Sequence, residues 1–250
     1  MNAKLKNRLK DVNLEIEDIL KEIKIPQKCF VVLYTSHIDS LGSSESDFDV
    51  YVVYDAQCLE NVEINKAASI VINGVEIDIE YHDINEVTGF FQRENRQVHT
   101  SYLSFLLRLL RGEVIHLDNE LSKCIHEHID KDRLEKIAID TYWLDSLSAY
   151  NDALKMFNID EHVCGIVLAR NALNHITMAI NIINKDYVFK PKWAYLLLKR
   201  SLGESHDLVR NYERFTLGSV DNPEIMLEEL LYYIQNLTTK VRLWDGSGEI

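Results

Sequence analysis

Apolar residues recur at two different spacings along this chain, and the change from one to the other divides it. From residue 3 to residue 24, Leu5, Leu9, Val12, Leu14, Ile16, Ile19, Leu20 and Ile23 follow a helical period with charges between them. One helix is predicted there, ended by Pro26, which cannot continue it. Residues 30–34 form a short apolar run that predicts a strand. A polar stretch over 35–46, with Gly42 and five serines, predicts a loop. Residues 48–54 predict a second strand. Two further strands, 67–72 and 75–81, flank Asn73-Gly74, a strong hairpin signal. Residues 99–111 predict an amphipathic helix, with Leu103, Leu106, Leu107 and Leu110 on one side and Gly112 as its stop. A short extended piece follows at 114–117. Beyond about residue 130 only helical spacing is found, over 132–157, 160–184, 190–202 and 223–242.

The pattern therefore predicts an α+β fold: a mixed β-sheet with helices over residues 1–125, then an all-α helical bundle over 126–250. The chain has 250 residues and 46% apolar content, enough to bury a core in each half. Its formal net charge of −13, from 40 acidic and 27 basic side chains, argues against a long nucleic acid as partner. It suits a cationic small molecule, or a nucleotide carried with its metal. Four scattered cysteines, Cys29, Cys58, Cys124 and Cys164, lack metal-ligand spacing and read as core residues in a reducing compartment. No continuous apolar run reaches the roughly 18 residues that span a membrane. The first residues are basic without an apolar stretch behind them, unlike a signal peptide. A cytoplasmic protein without membrane contact is expected, as a monomer or homodimer.

Chemistry concentrates around the second strand. In Ser46-Asp47-Phe48-Asp49, strand alternation places Asp47 and Asp49 on one face, about 7 Å apart, and Phe48, Val50 and Val52 on the other. Neighbouring carboxylates repel unless a cation sits between them, and a hard ion such as Mg²⁺ is the natural one. In the strand at 75–81, Glu76, Asp78 and Glu80 share a face opposite Ile77, Ile79 and Tyr81. Either that face is a solvated edge, or one of the three joins Asp47 and Asp49 as a third carboxylate.

An apolar strand with Leu33-Tyr34-Thr35-Ser36, then Ser46-Asp47-Phe48-Asp49, then an acid on a later strand resembles the DNA polymerase β-like nucleotidyltransferases. The small-molecule branch, the aminoglycoside adenylyltransferases, is the most similar in layout. There a nucleotidyltransferase domain precedes a helical bundle. Thr35 stands where that family keeps a glycine close to the nucleotide phosphates. The resemblance implies a Mg²⁺-dependent transfer of AMP from ATP to a hydroxyl of a small, cationic acceptor such as an aminoglycoside. It implies Asp47, Asp49 and Asp78 as metal ligands, with Glu76 and Glu80 as alternatives to Asp78 for third carboxylate or base. It implies Ser36 and Ser46 as phosphate contacts. Lys192, in Lys190-Pro191-Lys192-Trp193 after Phe189, resembles a helix start of related two-domain enzymes and would reach the triphosphate. A protein-modifying or antitoxin-like nucleotidyltransferase and an inactive nucleotide-binding regulatory module are the competing readings.

Two features of the second half bear on substrate. Asp140 and Trp143 share a helix face, with Asp145 farther round, an arrangement suited to a cationic sugar. Arg170 to His175 matches the Arg-x4-His pattern of HEPN-type helical domains, including their RNases. A buried, hydrogen-bonded polar cluster is the other reading of that match.

Overall fold

The computed structural model describes residues 1–58, 66–92, 100–188 and 190–244. The described chain is α+β, as expected: a five-stranded mixed sheet in the N-terminal part and helices alone in the C-terminal part. It forms two compact units, the described residues of Met1–Arg96 with Phe105–Asp130, and those of Gln97–Ser104 with Lys131–Ile250.

The first unit opens with two helices where the period predicted one. Helix α1 (Ala3–Asp11) and α2 (Ile16–Glu22) are separated at Asn13, whose φ of 51° is left-handed. The Asn13 amide donates to the Lys10 carbonyl and the Leu14 amide to the Leu9 carbonyl, while Leu9 and Leu14 are both buried. This pattern closes a helix, with asparagine taking the usual place of glycine. Helical spacing continues across the break, so hydrophobic periodicity could not reveal it. Helix α2 also ends at Glu22, ahead of Pro26.

The sheet order is β3-β4-β2-β1-β5, with β1 (Cys29–Tyr34), β2 (Phe48–Tyr54), β3 (Ala67–Ile72), β4 (Val75–Asp83) and β5 (Glu113–His116). Neighbours are antiparallel except β2 and β4, which run parallel. Asn73 and Gly74, with φ of 52° and 78°, form the tight turn between β3 and β4. Phe48, Val50, Val52, Ile77 and Ile79 are buried on one face of the sheet. The Arg8 guanidinium of α1 lies 5.9 Å from the Phe48 ring on that side.

Helix α3 (Ile84–Gln92) follows β4 without an intervening turn residue. Helix α4 (Thr100–Arg111) leads into β5, and α5 (Asn119–His128) is capped by the Asp118 carboxylate. Residues 103–109 of α4 are all buried, so the helix is enclosed all round rather than on one leucine face. His99, Phe189 and part of the loop before β3 lie outside the described residues.

In the second unit α6 (Lys131–Phe157) and α7 (His162–Ile183) pack along each other, and α10 (Pro223–Leu243) packs on both. A 3₁₀ turn (Pro191–Trp193) leads into α8 (Ala194–Leu202), and α9 (Asp207–Leu217) follows. By length and composition alone α7 could cross a membrane, yet 56% of its most apolar stretch is buried inside the bundle. Close approach sets its position. A Cβ at Gly165 would lie 2.4 Å from the side chain of Leu227, itself fully buried on α10. Gly165→Val is therefore expected to cost the second unit about 1–3 kcal/mol through overpacking. Trp143, Trp193 and Trp244 all lie in that unit, so urea unfolding followed by tryptophan fluorescence reads the loss.

Candidate nucleotide site

Strand pairing brings the acidic residues together. Side chains of laterally paired residues project from the same face of a sheet. Tyr34 of β1, Asp49 of β2, Asp78 of β4 and Ser69 of β3 form one row across four strands. Tyr51 and Glu80 occupy the next row on that face. Of the three acids on β4, Asp78 is the one in register with Asp49. Glu76 is exposed and accepts a hydrogen bond from the Ser69 hydroxyl at 3.1 Å. Glu80 lies 3.2 Å from His82, whose ring stacks on Phe105 of α4 with centroids 3.7 Å apart. Asp47 is exposed and sits one residue before β2 begins.

The loop between β1 and β2 turns sharply after Thr35. The amides of Ile38, Asp39 and Leu41 donate to the carbonyls of Thr35, Ser36 and Ser36 respectively. Ser36 and Ser46, ten residues apart in sequence, share a hydrogen bond of 3.1 Å between hydroxyls, and the Ser43 amide donates to the Ser46 hydroxyl at 2.8 Å. Both serines thus sit at the mouth of β2. Arg8, buried at 7% exposure, donates to the carbonyls of Ser44 at 2.8 Å and Ser46 at 3.1 Å. Thr35 is fully buried and its hydroxyl has no hydrogen-bond partner among the described residues. Its φ is not positive, so the backbone here does not require the conformational freedom of glycine.

Sequence reasoning missed the cations of this site. Arg108 on α4 donates to the Asp49 carboxylate at 2.9 Å and also to the Tyr51 hydroxyl. Its guanidinium lies 5.1 Å from the Tyr34 ring centroid and 6.0 Å from that of Tyr51. One helical turn on, Arg111 pairs with the buried Asp39 at 2.5 Å, and Asp39 accepts the Tyr34 hydroxyl. Burial alone would lower the Arg108 pKa, but Tyr51 and Asp49 beside it hold it above its ordinary value. Burial pushes the Tyr34 and Tyr51 hydroxyls far up, with Asp39 and Asp49 respectively adding to the effect. Arginines at i and i+3 inside a leucine-rich helix were the available signal, since a buried charge requires a partner.

Among the described residues, no group of three or more His, Cys, Asp or Glu side chains is gathered as one metal ion would need. No ion pair among the described residues engages Asp47 or Asp78. Two carboxylates fit Mg²⁺, which is usually held by one or two carboxylates together with substrate phosphates. Carboxylate oxygens such as those of Asp47, Asp49 and Asp78 are the donors such an ion takes.

In the second unit, Lys192 is exposed on the 3₁₀ turn with its ammonium 5.1 Å over the Trp193 ring. Trp143 donates to the Thr238 carbonyl at 3.0 Å, and the Arg242 guanidinium lies 5.0 Å over its ring. The cation on this tryptophan is therefore the protein's own. Arg170 donates to the Phe215 carbonyl at 2.8 Å and Asn174 accepts the Tyr212 hydroxyl, so the Arg-x4-His segment is tied into the bundle. Burial lowers the His175 pKa from its ordinary 6.5, opposed by Asp145. The unfolded chain then takes up a proton at a pH where the folded one does not. Stability of the second unit is expected to be full above about pH 6.5 and to fall as pH drops through the window between the unfolded and folded values. Urea midpoints from pH 7.5 to 5, with His175→Asn as control, check this. An equal slope in the variant would refute it.

No protein-family model matches this chain, and no curated protein does. Its fold is similar to that of a nucleotidyltransferase-like protein from Exiguobacterium sibiricum, with a TM-score of 0.53 and 11% identity, covering 94% of this chain and 75% of that one. At such identity the likeness is one of fold. The chain thus shares the fold of that protein.

Proposed function

We propose that the chain is a nucleotidyltransferase that moves a nucleoside monophosphate, AMP from ATP in the first instance, onto a hydroxyl of a small cationic acceptor such as an aminoglycoside. The observation that carries this reading is the parallel register of β2 and β4, which sets Asp78 beside Asp49 at the mouth of a serine-bearing loop. The fold likeness and the net charge of −13 are in keeping with it.

Asp47 and Asp78 would hold Mg²⁺, which when bound offsets negative charge on the phosphates and on departing pyrophosphate. Ser36 and Ser46, whose hydroxyls bond each other in the free chain, would turn them to phosphate oxygens. The acceptor oxygen forms a bond to the α-phosphorus, and the bond from that phosphorus to the β-phosphate bridge oxygen breaks. The acceptor's proton passes to a carboxylate of β4, for which Glu76 and Glu80 are candidates beside Asp78.

One observation favours a second reading, an inactive nucleotide-binding module: Arg108 already neutralises Asp49. Incubation with each α-labelled nucleoside triphosphate, Mg²⁺ and a panel of aminoglycosides separates the two. Labelled small-molecule product supports transfer. Label in protein would point to a protein acceptor. Nucleotide binding without any product would leave the binding module as the better account.

A further inference from the structure

The Asp49–Arg108 pair differs from an arginine resting loosely on an acid. Arg108 and Asp49 side chains are only 9% and 13% exposed. The guanidinium is confined by the rings of Tyr34 and Tyr51, by the Tyr51 hydroxyl and by the carboxylate. Tyr34 is tied in turn to Asp39, and Asp39 to Arg111. Within this network two arginines face two aspartates, so its four named charges cancel. Asp47 and Asp78 stand outside it, with no ion pair among the described residues.

We infer that Asp49 is an anchor for Arg108 and not a metal ligand, and that Arg108 is thereby a fixed positive charge of this site. The site then takes a phosphate-bearing ligand with one divalent ion, held by Asp47 and Asp78, and with one fixed guanidinium behind Asp49. What that charge serves rests on the proposed transfer; the anchoring itself does not. Asp49 is consequently a positioning residue, because its carboxylate orients Arg108.

Two measurements on the full chain test this. The first is Mn²⁺ binding, read from the EPR signal of free ion. One Mn²⁺ per chain is expected; Asp49→Asn should change its affinity less than about threefold, whereas Asp47→Asn and Asp78→Asn should weaken it more than about tenfold. The second is thermal unfolding. Asp49→Asn and Arg108→Gln should each lower the melting temperature by roughly 6–15 °C, because each leaves a buried partner uncompensated. The double variant should be no worse than the weaker single variant, since coupled residues are not additive. Arg108→Lys should recover part of the loss. Two bound ions, loss of Mn²⁺ binding in Asp49→Asn comparable to that in Asp78→Asn, or additive melting shifts would each overturn the inference. Absence of Mn²⁺ binding in the unmodified protein would refute the metal-dependent transfer, while non-additive melting shifts would still uphold the anchor.

Discussion

Asp78→Asn is expected to slow nucleotidyl transfer on the order of 10²–10³-fold, the loss that follows removal of one group positioned against developing charge. The change should leave stability within about 0.5 kcal/mol, as for substitutions away from buried networks. The side chain is half-buried in the middle of β4, in register with Asp49, and no ion pair among the described residues engages it. Asparagine keeps the volume and one acceptor oxygen but removes the negative charge. Glu76→Gln and Glu80→Gln flank it on the same strand face. Glu76 is exposed at the β3 side and Glu80 faces His82, so both should lose less. Single-turnover transfer from labelled nucleoside triphosphate gives the comparison. Equal losses in all three, or full activity in Asp78→Asn, would remove Asp78 from the role that β-strand register assigns to it.

Arg8→Ala should destabilise the first unit by about 2–4 kcal/mol and weaken nucleotide binding as well. One guanidinium nitrogen donates to two carbonyls of the β1–β2 loop, and the group is buried. Such charge-assisted bonds are stronger than neutral ones, and their loss leaves the Ser44 and Ser46 carbonyls without that donor. Lys4 supports the same loop through the Ser40 hydroxyl at 2.5 Å. Helix α1 thus holds the segment whose Ser46 hydroxyl bonds Ser36. Tryptophan fluorescence does not report on this unit, because all three tryptophans are in the other. Hydrogen exchange of the β1 and β2 amides is the suitable probe. Accelerated exchange confined to the loop, with the strands unchanged, would lower the stability estimate but keep the positioning role. Unchanged exchange together with unchanged nucleotide affinity would refute both parts.

Much of the fold could be read from residue spacing alone. Strands β1, β2 and β3 and the Asn73-Gly74 turn follow from alternation and turn chemistry that act over a few residues. The long helices of the second unit follow from apolar periods sustained over many turns. Short elements escaped. Helices α3, α5 and α9 are 9, 10 and 11 residues long, too short for weak propensities to accumulate, and α3 starts directly where β4 ends. The α1–α2 break depended on one left-handed asparagine.

For the site, the acidic residues and the serine loop were visible as a pattern, because side-chain parity is a property of each strand by itself. The row Tyr34–Asp49–Asp78–Ser69 was not, because lateral order and register arise only when strands separated in sequence pair. Nor was Arg108: it is 59 positions from Asp49, and only the packing of α4 over the sheet closes that distance to 2.9 Å. Local spacing along the chain thus specified which chemistry was present. Tertiary packing decided which carboxylate meets a guanidinium and which are left for another cation, since burial forces a charge to find its counter-charge wherever the fold supplies one.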